Sequence, residues 1–579
     1  MSVSGTNGNI TGTADYTDDG NRLESTTDAA GKTTTYQYNP NTNVLEWVQY
    51  PEDTPATRTN YTYDNLYRMA SATVSTDAGN HLGVAYTYTG ELLTGIQTPT
   101  TTYGFSYGAF DLRTGVSIGN RPLATYSYTN DRNHYLSALD YGNGDKVQYT
   151  YDNKGRVTQQ TYEDGATVSY AYDNDGALAT VTDSATGIKT TYYYDFTDRL
   201  MKYVESGTDY HHAVSYEYDN INNLTAMVET INGVTSTTEY TYDQDNRITG
   251  ETKNGNTVEY VYDEYGRVSQ QITKSGSTAV VTESYTYNTA SQVVTYRTQA
   301  PGYDVTYSYT YDDNGNILSV NDGLRTTSYV YDSQGQLLRE NNQAGGFTHT
   351  WSYDNAGNIL ERKEYAYTTG SLEGVTPTDT VLYGYGDAIW GDLLTSYDGS
   401  TITYDGIGNP LSDGTWTYTW EHGRQLESLS KAGYEWTYTY DANSMRTTKT
   451  GGGGTYSYVY NGDLLMEMTV SMFTLRFTYD AAGTPLTVTV DDVTYYYVTN
   501  LQGDVVAILN EWGGMLGQYA YDSWGACTAF TGSVIETLNP LLYRGYVYDW
   551  NTGLYYLQSR YYNPKTGRFL NADAFASTG

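Results

Sequence analysis

The chain is short of most devices that hold or tether a protein from outside. Among 579 residues there is one cysteine, Cys527, so no intramolecular disulfide framework can form. No run approaches the about 18 consecutive apolar residues of a membrane-spanning helix. The opening stretch Met1-Ser2-Val3-Ser4-Gly5 has neither the basic nor the apolar region of a signal peptide, and repeat units begin near Tyr16, so the sequence reads as a piece excised from something longer. Proline is scarce, at 11 residues, which argues against a Pro-rich disordered chain. Positive charge is also scarce: 31 Lys and Arg stand against 67 Asp and Glu, a net charge of −36. That balance opposes attraction to nucleic-acid phosphates and to anionic membrane surfaces, and so excludes nucleic acid as an expected partner. It favours solubility and basic partners.

The signatures of catalysis and metal binding are missing too. The six histidines, His81, His134, His211, His212, His349 and His422, show no HExxH or Cys-His spacing, and there is no GxSxG, P-loop or dinucleotide fingerprint. No metal, no cofactor and no enzyme activity are expected. Asp312-Asp313-Asn314-Gly315-Asn316 offers oxygen ligands but lacks the spacing and terminal glutamate of an EF-hand; turn capping explains it more simply.

What is abundant is tyrosine, at 68 residues. With threonine and valine it favours strands. Tyrosine-aspartate pairs recur along the chain at Tyr151, Tyr172, Tyr194, Tyr218, Tyr242, Tyr262, Tyr311, Tyr331 and Tyr353, with Tyr287-Asn288 as a variant, every 20 to 25 residues. A fixed period of that size means one supersecondary unit per repeat. Each unit has an alternating run such as Val168-Ser169-Tyr170-Ala171-Tyr172, which puts Val168, Tyr170 and Tyr172 on one strand face. An Asp-x-x-Gly turn follows, as in Asp152-Asn153-Lys154-Gly155, and then a return strand. Stacked hairpins would bury the tyrosine stripe against their neighbours. The pattern loosens over 97–125 and 365–400, and Gly451 to Gly454 read as a hairpin tip. From about residue 486 a non-repeating segment takes over.

These residues resemble the RHS/YD-repeat family, which includes bacterial Rhs polymorphic toxins, the B and C components of Tc toxins, and the teneurin shell. The segment after 485 resembles the Rhs-repeat-associated core through Tyr495-Tyr496-Tyr497-Val498-Thr499-Asn500-Leu501-Gln502-Gly503-Asp504-Val505, Ala520-Tyr521-Asp522-Ser523-Trp524-Gly525, Asn539-Pro540-Leu541-Leu542-Tyr543-Arg544-Gly545-Tyr546 and the tail from Gly553-Leu554-Tyr555-Tyr556 to Gly567-Arg568-Phe569. The resemblance implies an all-β fold: a YD-repeat sheet over 1–485 spiralling into a hollow shell, capped by the associated core at 486–579. It implies a non-enzymatic scaffold, secreted or at the cell surface, that encloses its own C-terminal toxic polypeptide until delivery machinery releases it. An acidic lumen would suit a basic cargo such as a nuclease.

Many members of the family cut themselves after the core with a pair of aspartates in DPxG motifs. Here Asp573 aligns with the first aspartate, but its Pro and Gly are absent and no second motif is present. Paired carboxylates work by splitting their pKa values, so Asp573 alone is an incomplete self-cleavage site and self-cleavage of this chain is not expected. Gly553, Arg560, Gly567 and Arg568 read as structural residues of the core motif. The alternative reading is an extracellular carbohydrate-binding or adhesion module. Its candidate glycan-stacking residues are the tryptophans outside the repeat rhythm: Trp390, Trp416, Trp420 and Trp436.

Overall fold

In the computed structural model the described residues are 2–5, 8–17, 20–51, 58–75, 81–532 and 534–573. Each repeat closes on its aspartate. In the unit at Tyr151, Asp152 Oδ1 accepts the backbone N–H groups of Lys154 (2.8 Å) and Arg156 (3.0 Å). Gly155, at φ +83°, lets the chain reverse. Where glycine is missing from this position, Asp198, Asn222, Asn246, Ser291 and Ser444 take the same positive φ. The guanidinium of Arg156 then donates back to Asp152 Oδ2 at 2.8 Å and lies 4.2 Å over the ring of Tyr172 in the next unit. The Tyr172 hydroxyl donates to the Val157 carbonyl at 2.9 Å. The same hydroxyl-to-carbonyl bond recurs at Tyr151, Tyr194, Tyr218, Tyr242 and Tyr262, among others. Register slips by one residue immediately before each of these tyrosines; such a bulge re-aims the side chain. The Asp-Asn turn at 312 works in the same way, its carboxylate occupied by Asn314, Asn316 and the Asn316 amide.

Chained together, these units make an almost entirely antiparallel β structure. Every pairing register joins strands consecutive in the chain. One sheet runs from Thr13 to Thr401, a second of 14 strands from Thr403 to Thr531, and a third of four strands from Val547 to Phe569. A hairpin, Ser2–Gly5 with Gly8–Thr11, precedes them, and one short helix, Val534–Leu538, sits between the second and third sheets. The second sheet crosses residue 485 without a break, because Pro485–Val490 pairs on both sides. Gly452 and Gly453 form the expected tip, between the paired Gly451 and Gly454.

The first sheet is a wall one layer thick. Thr33–Tyr38 alternates strictly between exposed and half-buried residues, and Thr167–Tyr172 has only Val168 fully buried. The exposed surface of the chain is 27795 Å² for 64.4 kDa, against about 20,000 Å² for a compact protein of that mass. A large excess of surface is what a thin shell requires.

Successive coils of the shell meet through side chains; after Lys32 and Asp313, 281 residues apart, the sequence separation of the meeting residues falls overall from Thr100 onward. Thr100 meets Asp392, 292 residues away. Asn143 meets Asp405 at 262, Tyr203 meets Asn461 at 258, Asn232 meets Glu467 at 235, Tyr296 meets Thr499 at 203 and Ser523 meets Glu340 at 183. Fewer residues per coil means a spiral that tapers toward the C-terminus. The main apolar core lies at that narrow end: Trp416, Leu429, Tyr438, Leu475, Val488 and Ile508 pack with Leu541, Leu554, Tyr555 and Tyr561.

Candidate functional site at the tapered end

The C-terminal sheet is pinned from within by a buried charge cluster. Arg446 is fully buried and forms a two-pronged bond to Asp549, NH1 to Oδ2 at 2.7 Å and NH2 to Oδ1 at 3.2 Å. Lys449 Nζ lies 3.5 Å from the same carboxylate and bonds Asn551 Oδ1 at 3.1 Å. The Arg446 guanidinium is held 4.4 Å from both the Tyr458 and Tyr556 rings. Burial disfavours the Asp549 anion, but Arg446 and Lys449 overcome it and hold the carboxyl below the usual carboxylate range. Burial conversely lowers the pKa of Lys449, against the pull of Asp549. Sequence reasoning missed this cluster. Its signal was the Tyr548-Asp549 pair, placed where no Asp-x-x-Gly repeat turn was needed.

From this anchor the chain turns through Gly553, at φ +76°, whose N–H bonds Asp549 O at 2.8 Å. It turns again through Gly567, at φ +64°, where an added Cβ would lie 3.1 Å from the Trp524 ring. Arg568 then donates to Asn358 Oδ1 (3.2 Å), the Tyr385 hydroxyl (3.0 Å) and the Asp392 carbonyl (2.9 Å). One side chain thus ties the last sheet to the end of the first. Further on, Ala572 N donates to Gly408 O at 3.4 Å and Ala572 O accepts from Arg424 at 3.2 Å. The result is a cavity of about 720 Å³ whose lining includes Gly553, Arg560, Arg568 and Asp573.

Asp573 is an exposed residue at the rim, 3.2 Å from the Arg560 guanidinium, which lies 3.7 Å over the Phe569 ring. Residues 574–579 lie outside the described residues. The structure therefore brings Gly553, Arg560, Gly567, Arg568 and Asp573 to one cavity, and gives Asp573 an ionic partner.

The four tryptophans do not form an exposed platform. Trp390 is buried against Ile118, Leu123 and Ile407. Trp416 and Trp436 are buried in the main core, with Lys431 and Lys449 respectively 4.2 and 4.5 Å from their rings. Trp420 is half-buried and donates its indole N–H to Pro410 O at 2.6 Å. Their departure from the repeat rhythm has a packing cause: large rings fill the narrow end, where neighbouring coils are close. Trp390 and Trp416 contribute to the 720 Å³ cavity, and Trp416 and Trp436 to a second of about 480 Å³.

The sequence model of the teneurin YD-shell matches residues 258–578, more than half of the chain. The chain belongs to the teneurin YD-shell family. RHS repeats match at 16–55 and 151–188, in keeping with the hairpin units described above. A tRNA3(Ser)-specific nuclease WapA of Bacillus spizizenii is 34% identical over 187 residues, and a tRNA nuclease WapA of Bacillus subtilis strain 168 is 32% identical over the same length. Those matches cover 31% of this chain and 8% of the relatives, so the chain corresponds to a small part of them. Among solved structures, TcdB2-TccC3 superposes with a TM-score of 0.61 at 14% identity, covering 97% of this chain and 33% of that one. The Photorhabdus luminescens Tc holotoxin pore gives 0.56 at 14% identity, with 97% and 32% coverage. At that identity the likeness is one of fold: a YD-repeat shell.

Proposed function

We propose that this chain is the encapsulating scaffold of an Rhs-type toxin, enclosing a toxic polypeptide carried C-terminal to it until delivery. The observation that carries this reading is the single-layer spiral that tapers to an end sealed by residues 547–573. A wall of half-buried tyrosine strands has little catalytic equipment and much enclosed surface. The net charge of −36 suits a basic cargo, and a nuclease, the activity in the names of the WapA relatives, belongs to that class. Repeat region and core divide the work: residues 1–485 supply most of the wall and 486–579 complete and close it. Such a scaffold acts outside the producing cell, secreted or held at its surface.

In this reading Asp573 is a latch. Its pairing with Arg560 holds the last described residues at the cavity rim. The test is to fuse a toxin-sized basic polypeptide after Gly579, with and without Asp573→Asn, and to compare denaturing gels with native size exclusion. One full-length band in both, eluting as a compact particle, is the expected outcome. Two co-eluting bands that merge into one in the variant would make Asp573 a cleavage residue. A particle that expands by the full length of the added chain would refute encapsulation. The adhesion reading is weakened by the burial of Trp390, Trp416 and Trp436.

A further inference from the structure

Where the second sheet begins it comes up against a turn of the first, and three potential ligands converge. Asp164 sits on the turn between strands Val157–Tyr162 and Thr167–Tyr172. Glu421 and His422 end the strand Thr417–Glu421 and start the turn after it. One ligand atom from each lies within 4.8 Å of the others. We propose that Asp164, Glu421 and His422 form a divalent transition-metal site that clasps the second sheet to the first.

The histidine carries the argument. Its Nδ1 faces Gln425 Oε1 at 3.0 Å, and the Gln425 amide is fixed in turn, because its Nε2 donates to Ser444 Oγ at 2.8 Å. With Nδ1 donating to Gln425, a neutral ring presents its lone pair at Nε2. Metal-binding histidines are oriented in this way, with the distal N–H given to an oxygen acceptor. The ring is also held flat against Tyr162, with centroids 3.8 Å apart. His422 has a φ of +48°, a conformation that costs energy for a non-glycine residue and directs the ring across the seam.

Nε2 is buried and has no hydrogen-bond partner among the described residues. It lies 3.4 Å from Asp164 Oδ2, without the alignment of a hydrogen bond. A lone pair facing a carboxylate calls for a cation between them, and a buried unsatisfied nitrogen needs an explanation of that kind. The carboxylate is equipped for it: Asp164 Oδ1 is used by the Ala166 N–H at 2.9 Å, and Oδ2 is the oxygen turned to the ring.

The surroundings are anionic. Asp145 and Glu427 add to the negative field at Glu421. Asp145 Oδ2 is itself committed to Gly423 N at 2.8 Å. The nearby cation on the same turn, Arg424, points elsewhere, to the carbonyls of Ile407 and Ala572. One imidazole and two carboxylates are a donor set for Zn²⁺ or Co²⁺, with water completing the shell. No sequence spacing could announce it, because Asp164 and His422 are joined only by the coiling of the wall.

The test uses untagged, chelator-treated protein and Co²⁺ or Zn²⁺ alone. Wild type should bind one Co²⁺ per chain with visible d–d absorption, displaced by Zn²⁺, and Zn²⁺ should raise its unfolding temperature. Asp164→Asn, on an exposed turn, and His422→Gln should each abolish the band. Gln425→Ala, which frees the ring to rotate, should weaken Zn²⁺ roughly ten- to a hundredfold. Absence of a cobalt band in wild type, or equal Zn²⁺ affinity in wild type, Asp164→Asn and Gln425→Ala, would overturn the proposal and leave an imidazolium paired with Asp164. Should His422→Gln fail to fold, the other two variants decide.

Discussion

Removing the charges that anchor the C-terminal sheet should reveal an order that the geometry fixes in advance. Asp549 serves two cations: Arg446 through two bonds at 2.7 and 3.2 Å, and Lys449 at 3.5 Å. Breaking a buried ion pair from one side costs about 3–5 kcal/mol, because the remaining charge is stranded. Asp549→Asn strands a fully buried guanidinium and belongs at the upper end, about 4–5 kcal/mol. Arg446→Met leaves Asp549 with Lys449 and belongs near 3 kcal/mol. Lys449→Met leaves the two-pronged pair intact and costs about 1–2 kcal/mol, on the scale of a lost charged hydrogen bond. The readout is hydrogen exchange at Val547–Phe569, since a long repeat array need not unfold in one step. Opening of that sheet should rise on the order of 10³-fold for Asp549→Asn and about tenfold for Lys449→Met. If Lys449→Met proves as costly as Asp549→Asn, the assignment of Arg446 as the principal partner is wrong.

Three further outcomes follow from the same structure. Burial raises Glu251 and Glu283 to about 7, with Asp480 adding to both, and burial with Glu340 beside it raises Asp522 to about 7. His212 is raised to about 9, its hydrogen bonds to Glu205 and Glu229 outweighing its desolvation. The native state therefore holds protons that the unfolded chain releases, and stability falls as pH rises from about 4 to 9. The unfolding temperature should be higher at pH 5 than at pH 8, and Glu251→Gln with Glu283→Gln should shrink the difference; an unchanged difference would refute the assignment. Tyr172→Phe removes the bond to Val157 O and should cost about 1 kcal/mol, with exchange protection lost only in the two adjoining units. Ser291→Gly and Ser444→Gly, at φ +63° in both cases, should each stabilise by up to about 1 kcal/mol, read as a shift in denaturant midpoint.

The repeat wall was legible because its determinants are local. Asp152, Gly155 and Tyr172 sit within one unit and its neighbour, and their spacing alone implies hairpins that stack. The role of the second tyrosine hydroxyl was not legible: a residue on the core face of an alternating strand reads as packing, and the bulge that turns Tyr172 toward Val157 O has no mark in the sequence. Gly553, Arg560, Gly567, Arg568 and Asp573 line one cavity, and their nearness was visible in advance because all lie within 21 residues of chain. The partners of Arg568 (Asn358, Tyr385 and Asp392), like Asp549 beside Arg446 and Asp164 beside His422, are distant in sequence, and only the coiling of the chain decides which residues meet. The tryptophans were ambiguous for the same reason: irregular aromatics mark a binding surface or a crowded interior equally well, and Trp390, Trp416 and Trp436 are buried here.

The most direct test of the shell itself is protection from protease. A basic, unfolded polypeptide fused after Gly579 should survive native digestion while the wall stays intact, and should be cut rapidly once denaturant opens the C-terminal sheet. Digestion of the fused polypeptide at the rate of the free peptide, with the wall still whole, would show that the chain beyond the last sheet leaves outward and that this spiral does not enclose it.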